Sequence, residues 1–255
     1  MKIILLIFFV FSQMIFAQKE NHKLFTELLN DYIVDGYVKY KEMKGDERLD
    51  KYIDELIKIN PENISDKKDK LAFWMNAYNA FTLKVIVENY PVESINDLHS
   101  GGLIIGQILG KTVWHKEWIE IGDETLSLNN IEHDIIRKEF NEPRIHFALV
   151  CAAVSCPPLR FEAYEGFKLD KQLQDQSIAF FNDESKNQFD IKTKTAKLSK
   201  ILDWYEDDFR NNDEEILKYV SQFLPEEIAK NIKDNLSDWD IDYLSYNWGL
   251  NEVKI

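Results

Sequence analysis

The chain has 255 residues, with 31 basic and 45 acidic side chains and a formal net charge of −14 at pH 7. This acidic balance argues against nucleic acid or an anionic membrane surface as a partner, because both require clustered lysine and arginine. The length suits one folded domain. Six tryptophans, eleven tyrosines and sixteen phenylalanines supply ample material for its core.

Residues 1–17, MKIILLIFFVFSQMIFA, have the pattern of a secretory signal peptide: Lys2 precedes a short apolar run, and the small residue Ala17 ends the segment. The apolar run is interrupted too early to cross a bilayer, which takes about 17–25 residues. We therefore expect a secreted or periplasmic protein, with residues 18–255 as a single globular domain. No cysteine lies near the expected cleavage point and no later stretch is long and apolar, so neither a lipid anchor nor a membrane span is expected.

The remaining chain alternates helical and extended patterns. This alternation predicts an α+β fold in which a mixed or antiparallel sheet packs against a central buried helix and peripheral helices surround it. The predicted elements, in chain order, are helices over 22–33, 45–59 and 67–90, an extended stretch over 98–126, a helix over 127–140, a strand opened by Pro143, a helix over 168–183, a hairpin over 188–200, acidic helices, and an extended segment over 239–248.

The predicted helix over 67–90 is apolar almost all round, which is typical of a central helix, and Pro91 ends it. Asn76 and Asn79 lie one turn apart on the same stripe of this helix. A buried amide costs about 1–3 kcal/mol if it is left unpaired, so both side chains should have hydrogen-bond partners. Either they tie the helix to a neighbouring loop or they line a functional site.

The helix predicted over 127–140 carries an unusual carboxylate. A helical wheel places Glu132 at the edge of the apolar face, whereas His133 points away from it. A carboxylate drawn towards a core needs a cationic or hydrogen-bonding partner, and Arg144 or Arg160 could supply one. No histidine pair has the i, i+4 spacing of a metal site on one helix face, so we expect neither a metal ion nor another cofactor.

The segment from Arg144 to Leu159 contains both cysteines and one of the five histidines of the chain. As a strand, it places His146 and Cys151 on opposite faces, so Cys156, beyond the strand end, is better placed to serve the histidine. A Cys–His pair would lower the pKa of the thiol and create a nucleophile. A Cys151–Cys156 disulfide, favoured by an oxidising compartment, is the competing interpretation. Two buried free thiols are the third.

Four segments together resemble the DUF547 family of domains of unknown function, over roughly residues 22–250. They are FWMNAYNAFT from Phe73, IEHDIIR from Ile131, the stretch 144–159, and ILDWYEDDF from Ile201. The order of elements is also similar to the papain and transglutaminase superfamily, in which a cysteine at a buried helix faces a histidine on a following strand. That resemblance implies a cleft beside His146 and places Asn76 where such an enzyme carries its cysteine.

Two functions compete on these grounds. The first is an exported thiol-dependent hydrolase or acyltransferase acting on peptide-like or amide bonds, with Cys156 as nucleophile, His146 as base, and Glu132 or Asn79 orienting the imidazole. The second is a non-catalytic module that holds a peptide-like ligand, a small thiol or a partner protein in the cleft. Its walls would come from aromatic-rich segments around Trp74, Trp114, Trp118, Trp204 and Trp248.

The residues predicted to line the binding site in either case are Asn76, Asn79, Trp74, Cys151, His133 and Arg144. A third, purely structural role in the cell envelope also remains open. The acidic run over 203–208 is interpreted as a solvated face, and the sequence does not indicate an oligomeric state.

Overall fold

A computed structural model describes residues 22–98, 112–209 and 212–254. The fold is α+β, with helices predominating and strands confined to small sheets. Within those ranges, no helix has both the length and the apolar character needed to cross a bilayer. The predicted signal peptide over residues 1–17 lies outside the described residues, as does part of the stretch predicted to be extended.

Helices and strands are numbered in chain order. The α-helices are α1 (Lys23–Tyr32), α2 (Tyr40–Met43), α3 (Glu47–Leu56), α4 (Lys67–Asn89), α5 (Arg137–Glu139), α6 (Leu169–Phe181), α7 (Lys200–Trp204), α8 (Asp213–Val220) and α9 (Glu226–Asp234). The strands are β1 (Ile33–Val34), β2 (Tyr37–Val38), β3 (Ile119–Ile121), β4 (Glu124–Leu126), β5 (Gln188–Asp190), β6 (Thr195–Leu198) and β7 (Asp240–Tyr243). A π-helical segment, Asn130–Ile136, leads into α5.

Helix α4 is the central helix that the sequence predicts. Asp66 caps its start by accepting hydrogen bonds from the backbone N–H groups of Lys68 and Asp69. Pro91 follows its end, where a helix could not continue through the missing N–H. The middle of α4 is buried on every side. Helix α3 and the π-helical segment pack against it.

The strands form three small sheets rather than the one sheet predicted to cover the central helix. In the described residues, β1 pairs with β2 and β3 with β4, both antiparallel, while β6 pairs antiparallel with β5 and parallel with β7. Each strand has only two to four residues, below the five or six that are typical. Sheets of two or three such short strands are too small to cover a long helix.

Buried apolar side chains form two clusters that meet at the segment following α5. One cluster surrounds α4 with α1 and α3, and the other lies between α6, α7, α8 and α9. Ile145 and Ala148 belong to the first cluster and Phe147 to the second. His146 lies between these residues, so packing on both sides fixes its position.

The prediction that Pro143 opens a strand is wrong. Pro143–Phe147 is a 3₁₀ helix, in which the proline occupies the first turn and its missing N–H costs no hydrogen bond. Glu142 caps this helix by accepting from the backbone N–H of Arg144 at 3.2 Å. Every side chain over 145–150 is buried. A short run of residues that are buried on all sides has no hydrophobic period that distinguishes a strand from a helix. The predicted strand, with His146 and Cys151 on opposite faces, is therefore absent from this segment.

Candidate functional site

A pocket of about 190 Å³ opens between α4, the π-helical segment, α7 and the residues that follow His146. Six aromatic side chains line it, namely Tyr78, Trp114, Trp204, Tyr205, Tyr246 and Trp248. An engineered apolar cavity of about 150 Å³ is known to hold benzene. The pocket therefore has room for a small organic group.

His146, which lines this pocket, is paired with an aspartate. His146 Nε2 lies 2.6 Å from Asp208 Oδ2, and the His146 ring stacks on Tyr205 with ring centroids 4.0 Å apart. An ionised carboxylate at Nε2 favours the tautomer with the proton on that nitrogen. Within the described ranges Nδ1 has no hydrogen-bond partner, so its lone pair can accept a proton or a hydrogen bond from a ligand.

The carboxylate of Asp208 is held by two donors at once. Besides the contact with His146, it accepts from Arg137 Nε at 2.7 Å and from Arg137 Nη2 at 3.0 Å. Burial by itself would raise the pKa of Asp208, but the hydrogen bonds from His146 and Arg137 outweigh that effect and hold its pKa well below the usual range. Asp208 is therefore an anion at neutral pH.

The interpretation of the acidic run over 203–208 as a solvated face is wrong for Asp208. Its side chain is only 28% exposed, whereas Glu206 and Asp207 are exposed. A 3₁₀ helix, Glu206–Phe209, buries Phe209 in the second core cluster. The apolar residue after the acidic run was the one local signal that its last carboxylate turns inward.

Glu132 is buried, with 9% exposure, and lies on the π-helical segment rather than on the α-helix predicted there. The backbone N–H of Arg137 bonds to the carbonyl of Glu132, five residues back, which is the spacing of a π-turn. Such turns are frequent at functional sites. Tyr205 Oη donates to Glu132 Oε1 at 2.7 Å. Burial and the charge of Glu132 raise the pKa of Tyr205, so this phenol stays a neutral donor.

The two arginines predicted to neutralise Glu132 form ion pairs with other carboxylates. Arg144 Nη2 lies 2.5 Å from Glu142 Oε2, and Arg160 Nη2 lies 2.7 Å from Glu162 Oε1. Each arginine finds its carboxylate two residues away, where a local ion pair requires no long-range folding. The predicted pairing with Glu132 is therefore wrong. Asp208, and neither Glu132 nor Asn79 as predicted, is the carboxylate or amide that contacts the His146 imidazole.

His133 also borders the pocket. Its Nδ1 lies 2.8 Å from Nη1 of Arg137, an arrangement in which the neutral imidazole accepts from the guanidinium. Burial lowers the pKa of His133. His133 is therefore neutral at pH 7, and it helps to hold Arg137 against Asp208.

Cys151 and Cys156 form a disulfide, with their Cα atoms 6.0 Å apart. Both line the pocket, and Tyr246 Oη lies 3.1 Å from Cys151 Sγ and 3.3 Å from Cys156 Sγ. Ala152, inside the disulfide loop, has a left-handed backbone with φ of 58°, a strained conformation that clusters at functional sites. Of the three interpretations left open, the structure shows the disulfide, and in this state neither cysteine is a nucleophile.

The two asparagines of α4 tie the helix to neighbouring chain segments. Asn76 Nδ2 donates to the carbonyl of Tyr164 and Asn76 Oδ1 accepts from its N–H, both at 2.8 Å. Asn79 donates to the carbonyl of Ala148 at 3.1 Å and accepts from the N–H of Val150 at 3.0 Å. Both amides are thus occupied by backbone, and Asn79 fixes the segment that carries His146.

The pocket thus brings together only part of the predicted set. Glu132, His133, His146 and both cysteines border it. Asn76, Asn79, Trp74 and Arg144 lie elsewhere, and Trp74 packs edge to face on Phe73 in the core. Across the described residues, no group of three His, Cys, Asp or Glu side chains is arranged to hold a metal ion.

Residues 61–181 match the model of the family described as "Protein of unknown function, DUF547". This match supports the resemblance to that family and contains the asparagines of α4, Glu132, His146 and both cysteines. It ends before Asp208 and Tyr246. No curated protein and no solved structure matches the chain. The similarity to papain therefore stays a prediction.

Proposed function

We propose that the protein binds a small organic ligand in the aromatic pocket while the Cys151–Cys156 disulfide is closed. The observation that carries this proposal is an open pocket, one wall of which is the disulfide itself. Small-molecule sites are typically concave and mostly apolar, with a few polar groups that fix orientation. In this pocket Glu132 and His146 are those polar groups.

The walls of the pocket are held in place before any ligand arrives. Trp204, Tyr246 and Trp248 pack on one another, with ring centroids 4.6–5.7 Å apart. Tyr205 is fixed by its hydrogen bond to Glu132 and by stacking on His146. Rings that are already ordered lose little conformational entropy on binding, and this preorganisation raises affinity.

Export of the protein is part of this proposal. The leader-like pattern over residues 1–17 and the disulfide favour the same compartment, because disulfides persist where the environment is oxidising. The ligand would accordingly be a molecule outside the cytoplasm.

A second candidate is thiol-dependent acyl transfer or hydrolysis on peptide-like or amide substrates. The arrangement of His146 and Asp208 favours it, since a histidine oriented by a carboxylate is the usual base for a nucleophilic thiol. This chemistry requires a dithiol reductant to open the disulfide first. The sulfur of Cys156 would then add to the carbonyl while His146 takes the thiol proton. His146 would return that proton to the departing amine, and water or an acceptor nucleophile would release the acyl group from the thioester.

Filling the pocket tests the binding proposal. Asn129 lines the pocket and is half-buried, so Asn129→Trp should occupy the ligand space. We expect some members of a panel of small amides, amines, carboxylic acids and thiols to raise the melting temperature of the oxidised wild type, because a ligand at 100 times its Kd stabilises by about 2.7 kcal/mol. Asn129→Trp should lose these shifts.

The matched control is Asn63→Trp, at an exposed asparagine outside the pocket, which should keep the wild-type response. The proposal fails if no panel member shifts the wild type, or if the shifts persist unchanged in Asn129→Trp.

A further inference from the structure

Among the described residues, the buried carboxyl group of Glu132 in this pocket has no ion-pair partner. Glu132 is 9% exposed, and the hydroxyl of Tyr205 donates to it at 2.7 Å. No lysine, arginine or histidine within the described part of the chain forms an ion pair with it. Hydroxyl donors satisfy the lone pairs of a carboxylate but leave its charge uncompensated. Burying an unpaired charge is costly, so such charges in proteins are generally paired.

The guanidinium of Arg137, which adjoins the pocket residue His133, does not fill this role. Arg137 gives Nε and Nη2 to Asp208 and Nη1 to His133. Its positive charge is therefore matched by the carboxylate of Asp208, and its donors are turned towards these two residues. Counting only residues within 22–98, 112–209 and 212–254, Glu132 is the one carboxylate at the pocket that no arginine or lysine pairs with.

The walls around that carboxylate are suited to a cation. The faces of Trp, Tyr and Phe attract positive charge through the ring quadrupole, and aromatic cages are a recurrent way of recognising quaternary ammonium groups. The pocket offers three tryptophans and three tyrosines. A metal ion would instead need several oxygen, nitrogen or sulfur ligands, and the described residues offer no such group of three.

We propose that the ligand of this pocket carries an organic ammonium group, which rests against the aromatic walls and takes Glu132 as its counter-ion. This inference rests on the proposed function, since it names the ligand class of the same site. It also assigns a role to Glu132 that orientation of the imidazole does not, because Asp208 already performs that task.

The test is an equilibrium titration followed by tryptophan fluorescence on the full-length chain with its disulfide closed. The probes are choline, tetramethylammonium and 3,3-dimethylbutan-1-ol, the last having the shape of choline without its charge. We expect both ammonium ions to bind at least tenfold more tightly than the neutral alcohol. Glu132→Gln should lower the affinity for both ammonium ions by at least tenfold and leave the affinity for the alcohol unchanged. Glu206→Gln, at an exposed carboxylate, should bind all three probes as the wild type does.

A second variant keeps the test decisive if Glu132→Gln does not fold. Trp204 is 47% exposed at the pocket, so Trp204→Leu should fold. It should lower the affinity for choline severalfold and change the affinity for the alcohol little. Equal affinity for choline and the alcohol, or ammonium binding that is insensitive to both variants, would overturn the inference. If neutral ligands bind and are lost in Asn129→Trp while the ammonium ions do not bind, the proposed function stands and this inference fails.

Discussion

Replacing Asn79 with leucine is expected to lower the free energy of unfolding by about 2–6 kcal/mol. The Asn79 amide donates to the Ala148 carbonyl and accepts from the Val150 N–H, and all of these groups are buried. Leucine has a similar size but leaves both backbone groups unpaired, at about 1–3 kcal/mol each. Urea unfolding should show a lower midpoint at an unchanged slope.

Thr82 provides the matched control on the same helix. It is fully buried, and its hydroxyl has no hydrogen-bond partner among the described residues. Thr82→Val should therefore change the free energy of unfolding by less than about 1 kcal/mol, since it removes a polar group that gains nothing from burial. If Asn79→Leu lowers the free energy of unfolding no more than Thr82→Val does, the hydrogen bonds from Asn79 to Ala148 and Val150 do not form in solution.

Replacing Asp208 with asparagine is expected to destabilise the protein by about 1.5–3 kcal/mol at pH 7, because two charge-assisted contacts, to His146 and Arg137, are weakened. The effect should depend on pH. The pKa of Asp208 is depressed in the folded protein, so its contribution is present above the unfolded pKa of about 3.9 and is lost as pH falls further. Unfolding midpoints measured between pH 2 and pH 7 should show the two proteins converging in acid.

Asp207→Asn is the control for this prediction, since Asp207 is the exposed neighbour. It should stay within about 0.5 kcal/mol of the wild type at every pH. A difference between wild type and Asp208→Asn that does not change with pH would show that the carboxylate of Asp208 is not held by His146 and Arg137.

Local patterns made the central helix predictable. An apolar run that ends at Pro91 identifies α4, and two amides inside that run have to be paired. The sequence therefore predicted the helix and raised the backbone tie of Asn76 and Asn79 as one of two roles. The cysteine spacing likewise raised the disulfide as one of three alternatives. These features depend on residues close together in the chain.

The pocket could not be predicted in the same way, because distant residues build it. Tyr205 meets Glu132 across 73 positions and Cys151 meets Tyr246 across 95. No local period indicates such contacts. Arg144 finds a neighbouring carboxylate instead of Glu132, and burial on all sides hides the helical turn at His146. The wrong predictions at the site thus come from long-range contacts, from uniform burial and, for Arg144 and Arg160, from a competing ion pair two residues away.

The state of the two cysteines tests the central claim most directly, because it separates a closed binding pocket from a thiolate enzyme. Protein purified from an oxidising compartment would be treated with iodoacetamide across a pH series, with and without reductant, and the labelled peptides mapped by mass. We expect neither Cys151 nor Cys156 to react until reductant is added. Labelling of Cys156 alone in the native protein, with an apparent pKa well below about 8.5 that returns to normal in His146→Ala, would contradict the disulfide-walled pocket and favour thiol catalysis.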